Sequence, residues 1–145
     1  MNSKRGKFFL DTNVFVYCFD ARSPSKQDRA MELVREALES HRGVISYQVV
    51  QEFLNVVTSK FQNPISAPDA QIYLTQVLMP LCEVYPDSAL YVRALGIAED
   101  DGISFYDSLI VASGLTAGCE TLWTEYLQHG RQIQGIRIRN PFRTQ

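Results

Sequence analysis

Three acidic residues stand where the surrounding pattern calls for apolar or neutral side chains, Asp11, Glu52 and Asp107, and Glu125 is a candidate fourth. Asp11 follows the apolar run Phe8-Phe9-Leu10 directly. Glu52 sits among Val49, Val50, Phe53, Leu54, Val56 and Val57. Asp107 precedes Leu109-Ile110-Val111-Ala112, and Glu125 follows Leu122-Trp123-Thr124. A carboxylate near a core is costly unless it is paired, hydrogen-bonded or bound to a cation. Several of them in one place repel one another, and a hard divalent cation with oxygen ligands relieves the repulsion. Carboxylate-held Mg²⁺ or Mn²⁺ suits phosphodiester cleavage. The metal polarises a phosphoryl oxygen, lowers the pKa of an attacking water and stabilises the leaving oxygen. Each acid also has a plainer use: a turn for Asp11, a solvated helix flank for Glu52, a helix N-terminus for Asp107 and a loop for Glu125.

Other chemistries find little support. There is no Gly-rich phosphate loop. His41 and His129 are isolated in polar company, so both are expected to be solvated and no zinc site is in view. Ser108, beside Asp107, has no base at a recognisable spacing. A phosphatase with Asp11 as nucleophile would want a second acid two residues on, where Asn13 stands. Cys18, Cys82 and Cys119 are odd in number and far apart, which points to reduced, packed thiols rather than a disulfide framework.

The elements that must carry these residues follow from hydrophobic periodicity. Phe8-Phe9-Leu10 reads as a strand covered on both faces, with Asp11 at its carboxyl end, where open α/β sheets place ligands. Val14, Phe15, Val16, Tyr17 and Phe19 continue apolar, as the first turn or two of a helix or as a wall beside the site. A longer helix starts at Pro24 or Ser25, buries Ala30, Leu33, Val34, Ala37 and Leu38, and ends near Gly43, a residue suited to a left-handed cap. Val44-Ile45-Ser46 is a second strand. The helix over Tyr47–Phe61 places Glu52 about 40° beyond Val56, on the flank of its apolar arc at roughly 100° per residue. Pro68 and Asp69 open a helix that Pro80 ends, and Glu83-Val84-Tyr85 forms a third strand. Asp87 caps a helix with Leu90, Tyr91, Ala94, Leu95 and Ala98 on one face, and Gly102 closes it. Ser104 caps a nearly all-apolar helix over Phe105–Ala117. Leu122-Trp123-Thr124 is strand four, and Ile136 and Ile138 alternate with Arg137 and Arg139 in an edge strand. Alternating strands and helices predict an α/β fold with a parallel sheet and right-handed crossovers.

The chain has 145 residues, 46% hydrophobic, with a formal charge of −2. It is expected to be a single domain over residues 1–145, soluble and cytoplasmic, with no membrane span. It is not basic enough to hold nucleic acid by bulk charge, so such a role needs a local site.

Phe9-Leu10-Asp11-Thr12-Asn13, Ser46-Tyr47-Gln48-Val49-Val50-Gln51-Glu52-Phe53, Ser104-Phe105-Tyr106-Asp107-Ser108-Leu109-Ile110 and the Asn140-Pro141-Phe142 ending resemble a PIN domain. The nearest subgroup is the VapC-type toxin ribonucleases of toxin–antitoxin pairs. The resemblance covers nearly the whole chain. It implies a three-layer α/β/α fold, with a central parallel sheet of four to five strands and helices on both faces, and a Mg²⁺- or Mn²⁺-dependent endoribonuclease, a homodimer and a cognate antitoxin partner. It puts the first three metal-site acids, which are also the catalytic residues, on Asp11, Glu52 and Asp107. The family's fourth acid falls two residues after Thr124, where this chain has Tyr126; a phenol does not replace a carboxylate on a hard cation at neutral pH. Either Glu125 takes over as a metal ligand, or the site is incomplete and activity impaired. The alternative is a non-catalytic PIN-like module that binds RNA or protein. For an RNA substrate, Thr12, Asn13 and Arg131 are candidate nucleic-acid contacts. Lys4, Arg5, Lys7, Arg137, Arg139 and Arg143 are further phosphate contacts, and Tyr17, Tyr47, Tyr106 and Tyr126 are possible stacking surfaces.

Overall fold

The computed structural model describes residues 6–143, so Lys4 and Arg5 lie outside the described residues. Six strands form one sheet: β1 (Lys7–Leu10), β2 (Gly43–Ser46), β3 (Cys82–Val84), β4 (Cys119–Trp123), β5 (Gln132–Ile133) and β6 (Ile136–Arg139). Their order is β3-β2-β1-β4-β6-β5, parallel throughout except for the antiparallel β5–β6 pair. Flanking helices are α1 (Thr12–Tyr17), α2 (Pro24–Ser40), α3 (Tyr47–Ser59), α4 (Ala67–Tyr73), α5 (Met79–Leu81), α6 (Ser88–Asp101) and α7 (Phe105–Thr116). This is the predicted layered α/β architecture, with one strand more than the four to five expected. The central strands are covered on both faces: Phe9, Leu10, Val44, Ile45 and Leu122 are fully buried.

The extra strand explains one error. Ile136–Arg139 is not the edge. Gln134 and Gly135 both take positive φ (49° and 97°), making a two-residue hairpin turn that folds Gln132–Ile133 onto β6. Gln-Gly is a weak turn signal beside Asn-Gly, and a two-residue strand shows no period, so the hairpin was hidden in the sequence.

Three other expectations shift. The left-handed cap of α2 falls on His41 (φ 60°), not Gly43. Gly43 instead opens β2, and a Cβ there would lie 2.2 Å from the Ala37 Cβ. Its role is the close approach of α2 to the sheet. Pro80 does not stop its helix. The chain widens into a π-helical turn over Leu74–Leu78, in which the Met79 N–H reaches the Leu74 carbonyl, and helix continues to Leu81. On α6 the buried face is Leu90, Ala94 and Ile97, while Tyr91, Val92 and Leu95 are exposed. The helix packs chiefly along α7, so its buried stripe is narrower than its apolar one.

The sheet brings the site together. Asp11 follows β1. Ser46 ends β2 and caps α3, its hydroxyl accepting the Val49 N–H, and α3 carries Glu52. Ser104 caps α7, accepting the Asp107 N–H at 3.1 Å. Thr124–Tyr126 follow β4.

Candidate active site

Asp11 is the centre of the arrangement and is only 8% exposed. It caps α1. Its Oδ1 accepts the Thr12 N–H at 2.7 Å and its Oδ2 accepts the Thr124 hydroxyl at 2.8 Å. Burial raises its pKa and outweighs these bonds, which lower it. The negative charges of Glu52 and Asp107 raise it further, and the carboxyl is pushed up to about 6.

Glu52 is half-buried, on the flank of α3 as its spacing implied. Its Oε1 accepts the Thr12 hydroxyl at 2.7 Å, and its Oε2 accepts the Gln48 side-chain amide at 3.0 Å, one helical turn back. The same amide nitrogen lies 3.4 Å from the Tyr106 carbonyl. Gln48 therefore links α3 to the first turn of α7, one residue from Asp107. Asp11, Glu52 and Asp107 line one cleft of about 520 Å³. None of the three forms an ion pair among the described residues. Nor do any three acidic, His or Cys side chains there stand close enough to make a preassembled metal cage.

Glu125 has other partners. Tyr17 donates its hydroxyl to Oε1 at 2.7 Å, and the Lys26 ammonium lies 2.5 Å from Oε2. Its carboxylate is not among the groups lining the cleft. Tyr126 does line it and is 71% exposed. Its phenol pKa is raised by desolvation, then by the charges of Glu125 and Asp11. Thr12 and Asn13 also line the cleft, but their polar atoms are engaged within the protein. The Asn13 amide donates to the Thr124 hydroxyl at 3.3 Å, and its oxygen accepts the Glu125 N–H at 3.2 Å. Arg131 is elsewhere: it donates to the Asp101 carbonyl at 2.6 Å, tying the β4–β5 connection to the end of α6.

The PIN domain family matches residues 8–125. The chain belongs to the PIN domain family. No curated protein matches it in sequence. Among solved structures it is similar to a toxin–antitoxin complex from Klebsiella pneumoniae, with a TM-score of 0.63, 19% identity, and coverage of 93% of this chain and 98% of that one. FitAcB from Neisseria gonorrhoeae gives 0.62 and 19%, covering 94% and 99%. DNA-bound VapBC from Salmonella typhimurium gives 0.60 and 22%, covering 94% and 98%. At such identities these likenesses establish the fold.

In this PIN domain the sequence singled out the acids but missed residues that hold them. Thr124 is fully buried and joins three partners: it donates to Asp11 and accepts from Asn13 and the Tyr126 N–H. Gln48, four residues before Glu52, was a readable signal because i and i+4 share a helix face. Asp20 and Arg22 line the cleft as an ion pair, with Arg22 Nε 2.9 Å from Asp20 Oδ1. Nothing in the polar break around Pro24 marked them.

Proposed function

We propose that the chain is a single-domain, metal-dependent endoribonuclease and the toxin of a type II toxin–antitoxin pair. The observation that carries this reading is the set of three carboxylates on one cleft with no ion-pair partner among the described residues, centred on a buried Asp11 whose pKa the other two help to raise. The donors are hard oxygens without His or Cys, the set that Mg²⁺ and Mn²⁺ prefer. Mg²⁺ keeps several of its waters and takes one or two carboxylates directly, so acids set apart along a cleft suit it better than a closed cage would. Asp11, Asp107 and Glu52 are the residues to hold it. When bound, the ion supplies an activated water and charge stabilisation at the phosphate.

The chain's own residues do the remaining work. The Thr12 N–H and Thr124 hydroxyl fix both Asp11 oxygens, and Thr12 and Gln48 orient Glu52. A site oriented in this way needs little rearrangement when substrate arrives. The antitoxin partner is supported by neighbours that are themselves toxin–antitoxin complexes. Association, including a homodimer, is supported by exposed Tyr85, Tyr91, Val92 and Leu95 beside a groove of about 540 Å³ that Val84, Pro86, Leu90 and Phe105 help to line.

The test is cleavage of RNA with Mn²⁺ or Mg²⁺ by the wild type and by Asp11→Asn, Glu52→Gln and Asp107→Asn, beside calorimetric titration of the same ions. Each substitution is expected to cut cleavage by about 100-fold or more. Unchanged cleavage by Asp11→Asn would overturn the reading. Tyr126 favours a second reading, a PIN-like module that binds without cleaving. An inert wild type that gains cleavage on Tyr126→Asp would establish it.

A further inference from the structure

The carboxyl edge of the sheet carries a second concavity beside the acidic cleft. It has a volume of about 380 Å³ and is lined by Arg29, Trp123, His129, Arg139 and Arg143, with no acid among its walls. Its place follows from strand register. Leu10, Trp123 and Arg139 stand abreast on β1, β4 and β6. The pocket is thus two strands across from the residue that precedes Asp11, about 10 Å at the usual strand spacing.

Its chemistry is that of an anion site. Arg29 shares its charge with Glu32 at 2.6 Å. Arg139 and Arg143 have no ion pair among the described residues. In a chain of formal charge −2, this is a local excess of positive charge. The guanidinium carbons of Arg29 and Arg139 lie 5.4 and 5.9 Å from the Trp123 ring centroid. An arginine held against an aromatic ring loses side-chain freedom but keeps its N–H fork for a ligand. His129 Nδ1 accepts the Asn140 N–H at 3.0 Å, so the neutral ring carries its proton on Nε2, another donor. Guanidinium forks match phosphate oxygens in pairs.

We propose that this pocket is a phosphate-binding subsite that holds the backbone of an RNA strand beside the acidic cleft. The proposal rests on the nuclease reading and supplies what that reading lacks. A cleft lined by carboxylates repels a polyanion, and neighbouring positive charge is what draws the strand in. The shared sheet edge favours RNA over an acidic peptide: one strand can run from these arginines to Asp11 without crossing the molecule.

Trp123 is the chain's only tryptophan, so its fluorescence reports on this pocket. The experiment is a titration of the wild type with a short single-stranded oligoribonucleotide in EDTA, where no cleavage occurs, over a range of salt concentrations. A saturable change in Trp123 emission is expected, with an affinity that falls as salt rises. Arg143→Gln should weaken binding and reduce the log–log salt slope by about 0.7, the value for one lost phosphate contact on a single strand. Arg139→Gln should do the same and Arg139→Lys should restore the slope. Arg139 substitutions alter the indole's surroundings directly, so Arg143→Gln is the cleaner variant. No change in emission, or a slope that neither Gln variant moves, overturns the proposal. So does equal or tighter binding of an oligoglutamate of the same charge, which would assign the pocket to an acidic protein segment. Failure of the nuclease reading shows elsewhere: Asp11→Asn would keep its cleavage, while the tryptophan titration still decides the subsite.

Discussion

The raised pKa of Asp11 makes the metal-free protein less stable at neutral pH than in mild acid, as far as this residue is concerned. The carboxyl moves from an ordinary 3.8 to about 6 in the folded chain. Between those values the folded chain holds a proton that the unfolded chain has released. Stability rises with pH only where the unfolded state binds more protons, so here it falls as pH rises. Below 3.8 both states are protonated and the burial of charge costs nothing; above about 6 both are ionised and the full cost is present. At about 1.4 kcal/mol per pH unit, that interval integrates to about 3 kcal/mol. In a chain of this length the cost corresponds to about 10 °C in Tm. The assay is guanidinium unfolding in EDTA from pH 4 to 7.5, with wild type and Asp11→Asn side by side. Their difference removes the titration of groups that do not interact with Asp11. The advantage of Asp11→Asn over wild type should grow by about 2.5 kcal/mol from pH 4 to pH 7.5, since a small part of the change falls below pH 4. Its absolute value will be offset downward, because the new amide faces Thr124, whose hydroxyl oxygen already accepts from Asn13 and Tyr126. A flat difference, or one that shrinks with pH, would refute the reasoning.

Three other substitutions probe the supports of the site. Thr124→Val removes the hydroxyl that donates to Asp11 and strands the Asn13 amide. It should cost about 1–3 kcal/mol in denaturant unfolding and move the Asp11 titration to higher pH, because that hydrogen bond lowers its pKa. Gly43→Ala puts a methyl 2.2 Å from the Ala37 Cβ. The required separation of α2 from β2 should cost about 1–3 kcal/mol, read as a lower Tm. Tyr126→Asp places a fourth acid on the cleft. It should raise the Asp11 pKa in EDTA and increase Mn²⁺ affinity or stoichiometry in calorimetry; no change in either would mean that residue 126 does not face the site.

Most of the fold was legible because its strands are short apolar runs and its helices carry separate apolar faces and caps. Asp87, Ser104 and Gly102 act as their residue types suggested. The sequence was silent where tertiary contact overrode local preference. His41 takes the left-handed position because Gly43 is needed under α2, and a helix survives Pro80 by widening one turn earlier. The apolar arc of α6 exceeds what α7 covers, and no periodicity tells which part of an arc will find a partner. Cys18, Cys82 and Cys119 remain unpaired, as their spacing implied.

The acids were readable as violations of pattern, but their scaffolding was not, because a hydrogen bond from Thr124 to Asp11 spans 113 positions. Glu125 is held away from the cleft by its own partners. Thr124 directs its hydroxyl to Asp11, and Tyr126, two residues on, lines the same cleft. Glu125, between them, turns instead to Tyr17 and Lys26. The position with cleft access is therefore residue 126. A neighbouring acid one residue away does not substitute for it by proximity in sequence, because bringing the Glu125 carboxylate round would break its bonds to Tyr17 and Lys26 and leave the Lys26 ammonium against two aromatic rings, Tyr17 and Phe142, without its carboxylate.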